Sequence, residues 1–404
     1  MIDRPSYINQ LQRLRDLDII KVLTGVRRCG KSTILSLFSE QLLSEGVSAD
    51  RIHMMNFEDL SLQQMNYLDI YRSLQSALVP GKTNYVFLDE VQQLAHFEKI
   101  LDSLFILNNV DLYVTGSNAF LLSSELATLL SGRYIEVHVL PLSFAELVSS
   151  RESESTKLSD LDGTVVNQRF ERYLNYGGFP FAAAIADEMT YRDYMTGIVD
   201  TVLVKDILSR RQRGNARLVQ GMAKFLVDVA GNLVNPRKIA NTLTSSGIKT
   251  TADTVADYLK DFEDSYLFYR CDRYDIAGKK YLSINSKMYP ADGGLRQALL
   301  GSKRPNRGSQ LETIVFLELR RRGYDVYVGT LQGGEVDFIA RKNGVTEYYQ
   351  VSATLKDENT YRREIASLKV IKDNFRKIIL TEDSGAYDDQ GIEQINVIDW
   401  LLAQ

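Results

Sequence analysis

The stretch Leu23-Thr24-Gly25-Val26-Arg27-Arg28-Cys29-Gly30-Lys31-Ser32-Thr33 decides the fold, because it matches the phosphate-loop pattern G-x-x-x-x-G-K-[ST]. The apolar run Ile19–Leu23 before it predicts a buried strand. The apolar residues within Ile34–Phe38 predict a helix whose N-terminus faces an anion. A chance match in a chain of this size is expected only about once in a hundred sequences. We therefore expect a nucleoside triphosphate to bind here.

The side chains of this loop suit a magnesium nucleotide. Gly25 and Gly30 allow backbone conformations that place successive N–H groups around a phosphate. Lys31 can reach the β- and γ-phosphates, and the hydroxyl of Ser32 can bind Mg²⁺. The predicted nucleotide-binding residues are Gly25, Val26, Arg27, Arg28, Cys29, Gly30, Lys31, Ser32 and Thr33.

Composition limits the class of protein. A chain of 404 residues is too long for one ordinary domain, so two or three domains are expected. Its 44% hydrophobic and 25% charged residues are typical of a soluble globular protein. No apolar run approaches membrane-spanning length and no signal peptide is evident, so we expect a cytoplasmic protein without a membrane partner. The net charge of -4 argues against a general nucleic-acid coat but allows a local basic face.

Residues 1–140 alternate short apolar strands with helical stretches, which predicts an α/β domain with a parallel sheet and helices on both faces. Most of these strands are too apolar to have one solvated face, as expected for central parallel strands. The predicted strands are Ile19–Leu23, Ile52–Asn56, Tyr85–Leu88, Leu112–Thr115 and Ile135–Val139. The predicted fold class is therefore that of a phosphate-loop nucleoside triphosphatase.

Two acids follow the third predicted strand. In phosphate-loop enzymes the first acid, here Asp89, supports Mg²⁺. The second, Glu90, can orient and deprotonate a water that attacks the γ-phosphate. Many strands end in an acidic turn, but the phosphate loop at a plausible distance favours the catalytic interpretation.

Two further candidates follow the acids. Asn118, and after it Ser117, can touch the γ-phosphate or the attacking water from the end of the fourth strand; the alternative is an ordinary turn that caps the next helix. Arg133, just before the fifth strand, can act as an arginine finger or a γ-phosphate sensor. The alternative for Arg133 is a solvated loop arginine.

The order of these motifs resembles that of prokaryotic AAA-type ATPases with a C-terminal domain of unknown function. The motifs are Gly25–Ser32, Asn56–Asp59, Leu88–Gln92, Thr115–Asn118, Ser131–Arg133, Leu140–Phe144, Tyr176–Pro180 and Gly333–Phe338. The resemblance spans nearly the whole chain. It implies an ATPase core, ATP as the nucleotide, a winged-helix segment and a C-terminal nuclease-like domain.

The predicted domains are an AAA-type ATPase domain at 1–150, a connector with a helical segment at 151–213, a winged-helix-like domain at 214–300 and a restriction-endonuclease-like domain at 301–404. In the domain predicted at 214–300, the pattern predicts a helix at Pro236–Leu243, a turn, and a second helix at Thr251–Glu263. A hairpin of Tyr266–Tyr274 and Lys279–Asn285 would then form the wing. If this segment reads DNA, the second helix would lie in the major groove, but several acids on that helix suit DNA poorly. Docking of a protein or a role as a lid is the other interpretation.

The last domain departs from active restriction-endonuclease-like enzymes. Asp337 matches their first acid and Glu312 can be the helix acid, but Gln350-Val351-Ser352 stands where Glu-x-Lys is expected. We therefore predict that this domain is not a nuclease. A displaced lysine, such as Lys342 or Lys356, would be the remaining route to activity.

The leading hypothesis is an ATPase whose nucleotide state controls contacts with a macromolecule, either double-stranded DNA or a protein. The alternative is a nucleotide-gated switch or scaffold with negligible turnover, and Glu90 separates the two. An ATP-dependent nuclease is disfavoured by Gln350 and Ser352, and a kinase is weaker still. If Arg133 acts across subunits, a homo-oligomer follows.

Overall fold

The computed structural model describes residues 2–119, 132–150, 162–211, 214–301, 306–331, 334–385, 387–389 and 391–403. The chain divides into two units, one of residues 1–139 with 264–266 and the other of residues 140–263 with 267–404. Ser131 and Gly333 of the quoted motifs and residues 151–161 of the predicted connector lie outside the described residues. The predicted boundary at residue 213 falls on a position outside them as well.

The first unit is an α/β fold built on a five-stranded sheet in the order β2-β3-β4-β1-β5, and each neighbouring pair is parallel. Its strands are β1 Ile20–Thr24, β2 Ile52–Asn56, β3 Asn84–Asp89, β4 Val110–Gly116 and β5 Tyr134–His138. Its helices are α1 Pro5–Leu14, α2 Lys31–Ser44, α3 Leu60–Gln63, α4 Tyr67–Ala77 and α5 Phe97–Phe105. The predicted parallel sheet is confirmed, and the strands begin and end within two residues of the predicted ones.

The apolar strands form the core of this unit because both of their faces are covered. Every residue of β1 and β3 is buried. The buried cluster includes Ile20, Val22, Val86, Leu88, Leu112 and Val114 from the strands and Ile70, Leu74, Ile100 and Leu104 from the helices. This core holds the carboxyl ends of β1, β3 and β4 side by side.

The second unit begins with helices. They are α6 Phe144–Ser149, α7 Gly163–Tyr176, α8 Pro180–Ala184, α9 Glu188–Thr201, α10 Ala216–Asp228, α11 Pro236–Ser245 and α12 Ala252–Asp264. Residues Val202–Ile207 continue α9 as a π-helical segment. Residues 177–179, within the quoted motif Tyr176–Pro180, separate α7 from α8.

The second unit continues into an eight-stranded sheet in the order β12-β13-β11-β10-β9-β8-β6-β7. Its strands are β6 Phe268–Asp275, β7 Lys280–Pro290, β8 Asp325–Leu331, β9 Gly334–Lys342, β10 Val345–Ser352, β11 Arg376–Thr381, β12 Tyr387–Asp389 and β13 Ile392–Asn396. Its helices are α13 Gly294–Leu300, α14 Arg307–Arg321, α15 Glu358–Lys369 and α16 Val397–Leu402.

The hairpin expected to be a wing differs from the prediction. β6 and β7 pair with each other, and β6 also pairs in parallel with β8, so the hairpin is an end of the C-terminal sheet. The physical reason is burial: Phe268, Cys271 and Tyr274 are all apolar side chains that need cover. Residues on both sides of the predicted boundary at 300 thus share one sheet. The helix-turn-helix assignment for α11 and α12 stays a prediction.

No helix in the described ranges is both long enough and apolar enough to cross a membrane.

Candidate functional site

The turn from β1 into α2 has the backbone that its glycines were expected to supply. Gly25 has φ 139°, and a Cβ atom there would lie 2.1 Å from the carbonyl oxygen of Val139. Gly30 has φ 108° and precedes the first residue of α2. Both conformations disfavour any residue with a side chain. The N-terminus of α2 consequently opens onto the loop, where its free N–H groups favour an anion.

Lys31 lies inside this loop. Its Nζ atom donates to the carbonyl oxygens of Gly25 at 2.9 Å and Val26 at 3.3 Å. The same atom lies 3.8 Å from Oε1 of Glu90, and the two side chains are only 3% and 10% exposed. The structure therefore brings the predicted phosphate-binding lysine and the predicted general base to one place.

Asp89 is held at the end of β3 by three neighbours. The hydroxyl of Thr115 donates to its Oδ1, Asn56 donates to its Oδ2 at 3.1 Å, and Ser32 also forms a side-chain hydrogen bond with it. Burial raises the pKa of Asp89, and the hydrogen bonds from Thr115 and Ser32 oppose that rise. A hydroxyl beside a carboxylate is a set of hard oxygen donors, so Ser32 and Asp89 fit Mg²⁺.

Glu90 has a constrained backbone. It adopts the left-handed conformation with φ 52° and ψ 47°, which is uncommon for a residue other than glycine. Its amide donates to Oγ1 of Thr115 at 2.9 Å. Its carboxylate accepts a hydrogen bond from Gln92, whose amide nitrogen also lies 3.3 Å from Oγ of Ser117. Strain of this kind persists only where neighbours hold it, and it is concentrated at functional sites.

Asn118 and Ser117 follow β4, which lies between β3 and β1 in the sheet. Both residues are buried, Asn118 at 2% exposure and Ser117 at 0%. They therefore lie at the sheet edge that carries the acids and the phosphate loop. Their predicted contact with the γ-phosphate stays a prediction.

Arg133 lies at the other edge. It precedes β5, and its carbonyl oxygen accepts from the amide of Ile20, the first residue of β1. The phosphate loop begins after the last residue of β1, about 16 Å further along five strand residues. The Arg133 guanidinium forms a 2.9 Å salt bridge with Asp102. This position puts Arg133 away from the phosphate loop of its own chain, and its half-exposed ion pair agrees with the alternative of a loop arginine. Action on a neighbouring subunit stays a prediction.

The other loop residues have structural neighbours. Arg27 lies 3.7 Å from Glu58 in an ion pair. Arg28 has φ 64°, and Cys29 is fully buried. Burial raises the pKa of the Cys29 thiol.

Two residues of this site were missed from the sequence. Arg4 is 2% exposed, and its Nη1 atom donates to the carbonyl oxygen of Cys29 at 3.1 Å. Nothing in the local sequence connects position 4 with the loop. Thr115 joins Asp89 to Glu90, and its place at the end of an apolar strand was a usable signal.

The restriction-endonuclease-like residues also converge. The amide of Asp337 donates to Oε1 of Gln350 at 3.3 Å, so these residues of the adjacent strands β9 and β10 lie side by side. The lysines proposed as displaced catalytic groups are elsewhere. Lys342 donates to the carbonyl oxygen of Arg322, and Lys356 is 82% exposed and lies 3.8 Å from Asp383.

Comparisons with known proteins give two family matches and several relatives. Residues 18–148 match an AAA domain, and residues 167–306 match a domain of unknown function. An uncharacterized protein of Haemophilus influenzae is 41% identical over 100% of this chain and 99% of its own length. An uncharacterized protein of Methanocaldococcus jannaschii is 30% identical over 95% of this chain and 87% of its own length.

Solved structures add a fold likeness. A Walker-type ATPase of Pyrococcus abyssi is similar with a TM-score of 0.50 at 18% identity. The match covers 74% of this chain and 96% of that one. It supports the phosphate-loop fold.

Proposed function

The chain belongs to the family of the Haemophilus influenzae and Methanocaldococcus jannaschii proteins, with an AAA domain at residues 18–148, and from this premise we propose that it binds and hydrolyses ATP with Mg²⁺. The observation that carries the proposal is the approach of Lys31 and Glu90. Their charged atoms lie 3.8 Å apart beside the N-terminus of α2. A phosphate-binding cation and a general base are the two groups that hydrolysis of a γ-phosphate needs most.

In this mechanism, Lys31 and the first amides of α2 hold the β- and γ-phosphates. Ser32 and Asp89 would hold Mg²⁺, which neutralises charge on the phosphate oxygens when bound. Glu90 orients a water and takes its proton as the water oxygen attacks the γ-phosphorus. The bond from that phosphorus to the β,γ-bridging oxygen breaks, and ADP leaves with the electron pair while the γ-phosphoryl group becomes inorganic phosphate. Thr115 fixes the carboxylate of Asp89 and the backbone of Glu90 together, so the metal ligand and the base keep one spacing.

The second candidate function is a nucleotide-gated switch with negligible turnover. Gln92 favours it, because this side chain donates a hydrogen bond to the Glu90 carboxylate. Gln92 occupies Oε2 of Glu90 and Lys31 lies 3.8 Å from Oε1, so a water would have to displace one of these neighbours to reach the carboxylate. In both functions the nucleotide state controls contacts with a macromolecule.

We infer a protein as that macromolecule in preference to DNA. The solvent-facing side of α12 carries Asp253 and Asp257 against Lys260, so its charge does not suit a polyanion. Asp261 is engaged by Arg211 in a salt bridge. A homo-oligomer is part of the proposal because Arg133 lies at the edge opposite its own phosphate loop.

The test is ATP turnover by the purified chain with Mg²⁺, with and without duplex DNA, in wild type and Glu90→Gln. Turnover should fall by about 10²- to 10⁴-fold in the variant, the usual contribution of a general base, while ATP still binds. Glu40→Gln is the matched control, since it makes the same change on an exposed position of α2.

Equal turnover in wild type and Glu90→Gln would remove Glu90 from the mechanism. Tight ATP binding without turnover would favour the switch. Failure of the wild type to bind ATP would overturn both functions. Stimulation by duplex DNA would contradict the preference for a protein partner.

A further inference from the structure

A buried lysine lies among the carboxylates of the C-terminal sheet. The Nζ atom of Lys287, on β7, is 2.8 Å from Oε1 of Glu312 on α14. It is 2.6 Å from Oε1 of Glu335 and 3.9 Å from Oδ1 of Asp337, both on β9. The lysine side chain is only 3% exposed. We call these four residues the Lys287 cluster.

The resemblance to restriction-endonuclease-like enzymes implies Mg²⁺ near Asp337 and Glu312, and the residues present do not fit it. The Lys287 ammonium stands within 2.8 Å of two carboxylate oxygens, where a divalent cation would need to lie at about 2.0–2.6 Å. Across the described ranges, no group of three or more His, Cys, Asp or Glu side chains is arranged to hold a metal ion.

We propose that Lys287 is the resident cation of this cluster, and that it holds β7, α14 and β9 together in place of a divalent metal ion. The geometry gives the ammonium its usual hydrogen-bond acceptors and gives the carboxylates a shared positive charge. The role is independent of nucleotide binding in the first unit.

Charge balance supports this assignment. Burial by itself lowers the pKa of Lys287. The charges of Glu312, Asp337 and Glu335 raise that pKa by more than burial lowers it, so the ammonium stays charged. Burial and the charge of Glu312 raise the pKa of Asp337, and Lys287 opposes that rise. One lysine thus compensates a cluster that is already rich in negative charge.

The charge balance around Asp337 also explains why a neutral side chain suits position 350. Its Nε2 atom donates to Glu364 at 2.7 Å, and its Oε1 atom accepts from the amide of Asp337 at 3.3 Å. A carboxylate at position 350 would add a negative charge beside Asp337 and Glu364, where Arg363 already pairs with Glu364. The glutamine and Lys287 are therefore two parts of one metal-free arrangement.

The test replaces the ammonium and asks whether a metal can take its place. Lys287→Met, Lys287→Met/Gln350→Glu and wild type are melted with EDTA or with Mn²⁺, without nucleotide. Lys377→Met is the matched control, because Lys377 lies on β11 of the same sheet and donates to the backbone carbonyl of Asp373.

In EDTA, Lys287→Met should melt on the order of 10 °C below wild type, because it leaves buried carboxylates without their cation. Mn²⁺ should raise the Tm of Lys287→Met, and more so that of the double variant. Mn²⁺ should change the Tm of wild type and of Lys377→Met only by the amount that Mn²⁺ binding to the first unit causes. That amount should be the same in every variant, because the first unit is unchanged.

Three outcomes would overturn the proposal. In the first, Lys287→Met melts like wild type in EDTA. In the second, Mn²⁺ stabilises wild type as much as Lys287→Met. In the third, Lys287→Met does not fold and neither Mn²⁺ nor removal of one acid in Lys287→Met/Glu335→Gln restores folded protein, as seen by circular dichroism.

Discussion

Gly25 lies so close to Val139 that a Cβ atom on residue 25 would stand 2.1 Å from the Val139 carbonyl oxygen. The Sγ atom of Cys29 would lie 3.1 Å from the same Cβ. Val139, the residue after β5, therefore packs directly against the phosphate loop. Only glycine fits at position 25. The backbone at Val139 therefore limits where the loop can lie at Gly25.

Gly25→Ala should abolish ATP binding and lower stability. Its φ of 139° disfavours a side chain, and the contact with a backbone oxygen cannot be relieved by a rotamer change. Nucleotide affinity by titration calorimetry and unfolding in urea would measure both effects.

Gly46→Ala is the control, since Gly46 has φ 92° but a Cβ atom added there would meet no other atom within 4 Å. We expect a cost of about 1–3 kcal/mol from backbone strain alone, with ATP binding retained. Equal nucleotide affinity in Gly25→Ala and wild type would show that the loop can shift away from Val139 and still bind ATP.

Thr115→Val should slow ATP turnover more than it weakens ATP binding. Valine has the same shape but loses the bonds to the Asp89 carboxylate and the Glu90 amide. Leaving a buried amide unpaired costs about 1–3 kcal/mol, which corresponds to roughly 10- to 100-fold in kcat if the base is displaced. Thr115→Ser keeps the hydroxyl and should restore most of kcat. A serine variant as slow as the valine variant would assign the effect to packing.

Arg133→Ala should leave stability within about 1 kcal/mol of wild type, because its salt bridge with Asp102 is half exposed. ATP binding should remain, and turnover should fall if a neighbouring subunit uses this arginine. Mixing Arg133→Ala with Lys31→Ala tests the point, since each variant supplies the group that the other lacks. We expect the mixture to be more active than either alone. A mixture no more active than its components would contradict action across subunits.

Stability should depend on pH through Asp292. This buried carboxylate accepts the amides of Gly178 at 2.6 Å and Gly294 at 2.8 Å. Burial raises its pKa from 3.8 to about 7, and those two hydrogen bonds oppose the rise. Between these values the folded state binds the extra proton. Protonated Asp292 therefore contributes to the free energy of unfolding in full below about pH 4, and this contribution is lost as pH rises through 7.

Asp292→Asn isolates this contribution. The amide cannot titrate, although it loses an acceptor for one backbone amide. The difference in unfolding free energy, wild type minus variant, should fall by a few kcal/mol from pH 4 to pH 8. Urea unfolding at four pH values measures it. A difference that stays flat or grows over this range would show that Asp292 is ionised throughout.

Asp292 also explains the glycine pair at 177–178. A Cβ on Gly177 would lie 1.7 Å from Oδ1 of Asp292, and one on Gly178 would lie 2.3 Å from the carbonyl oxygen of Leu142. Both neighbours belong to the second unit. The turn was predictable from the glycines, but its partner was not, because 114 positions separate Gly178 from Asp292.

The sequence by itself determined the features that depend on neighbouring residues. The strand, loop and helix around Gly25–Ser32, the parallel sheet and the acidic end of β3 follow from apolar periodicity and glycine placement, which act over a few residues.

Only the tertiary structure decided which distant side chains meet. Arg4 contacts the loop, Arg133 lies at the opposite edge, and Lys287 enters a carboxylate cluster from a hairpin that was expected to be a wing. Each of these contacts depends on the strand order and on how buried charges find partners, and both are settled by packing the whole unit. Local propensity carries no information about them, because the residues involved are far apart along the chain.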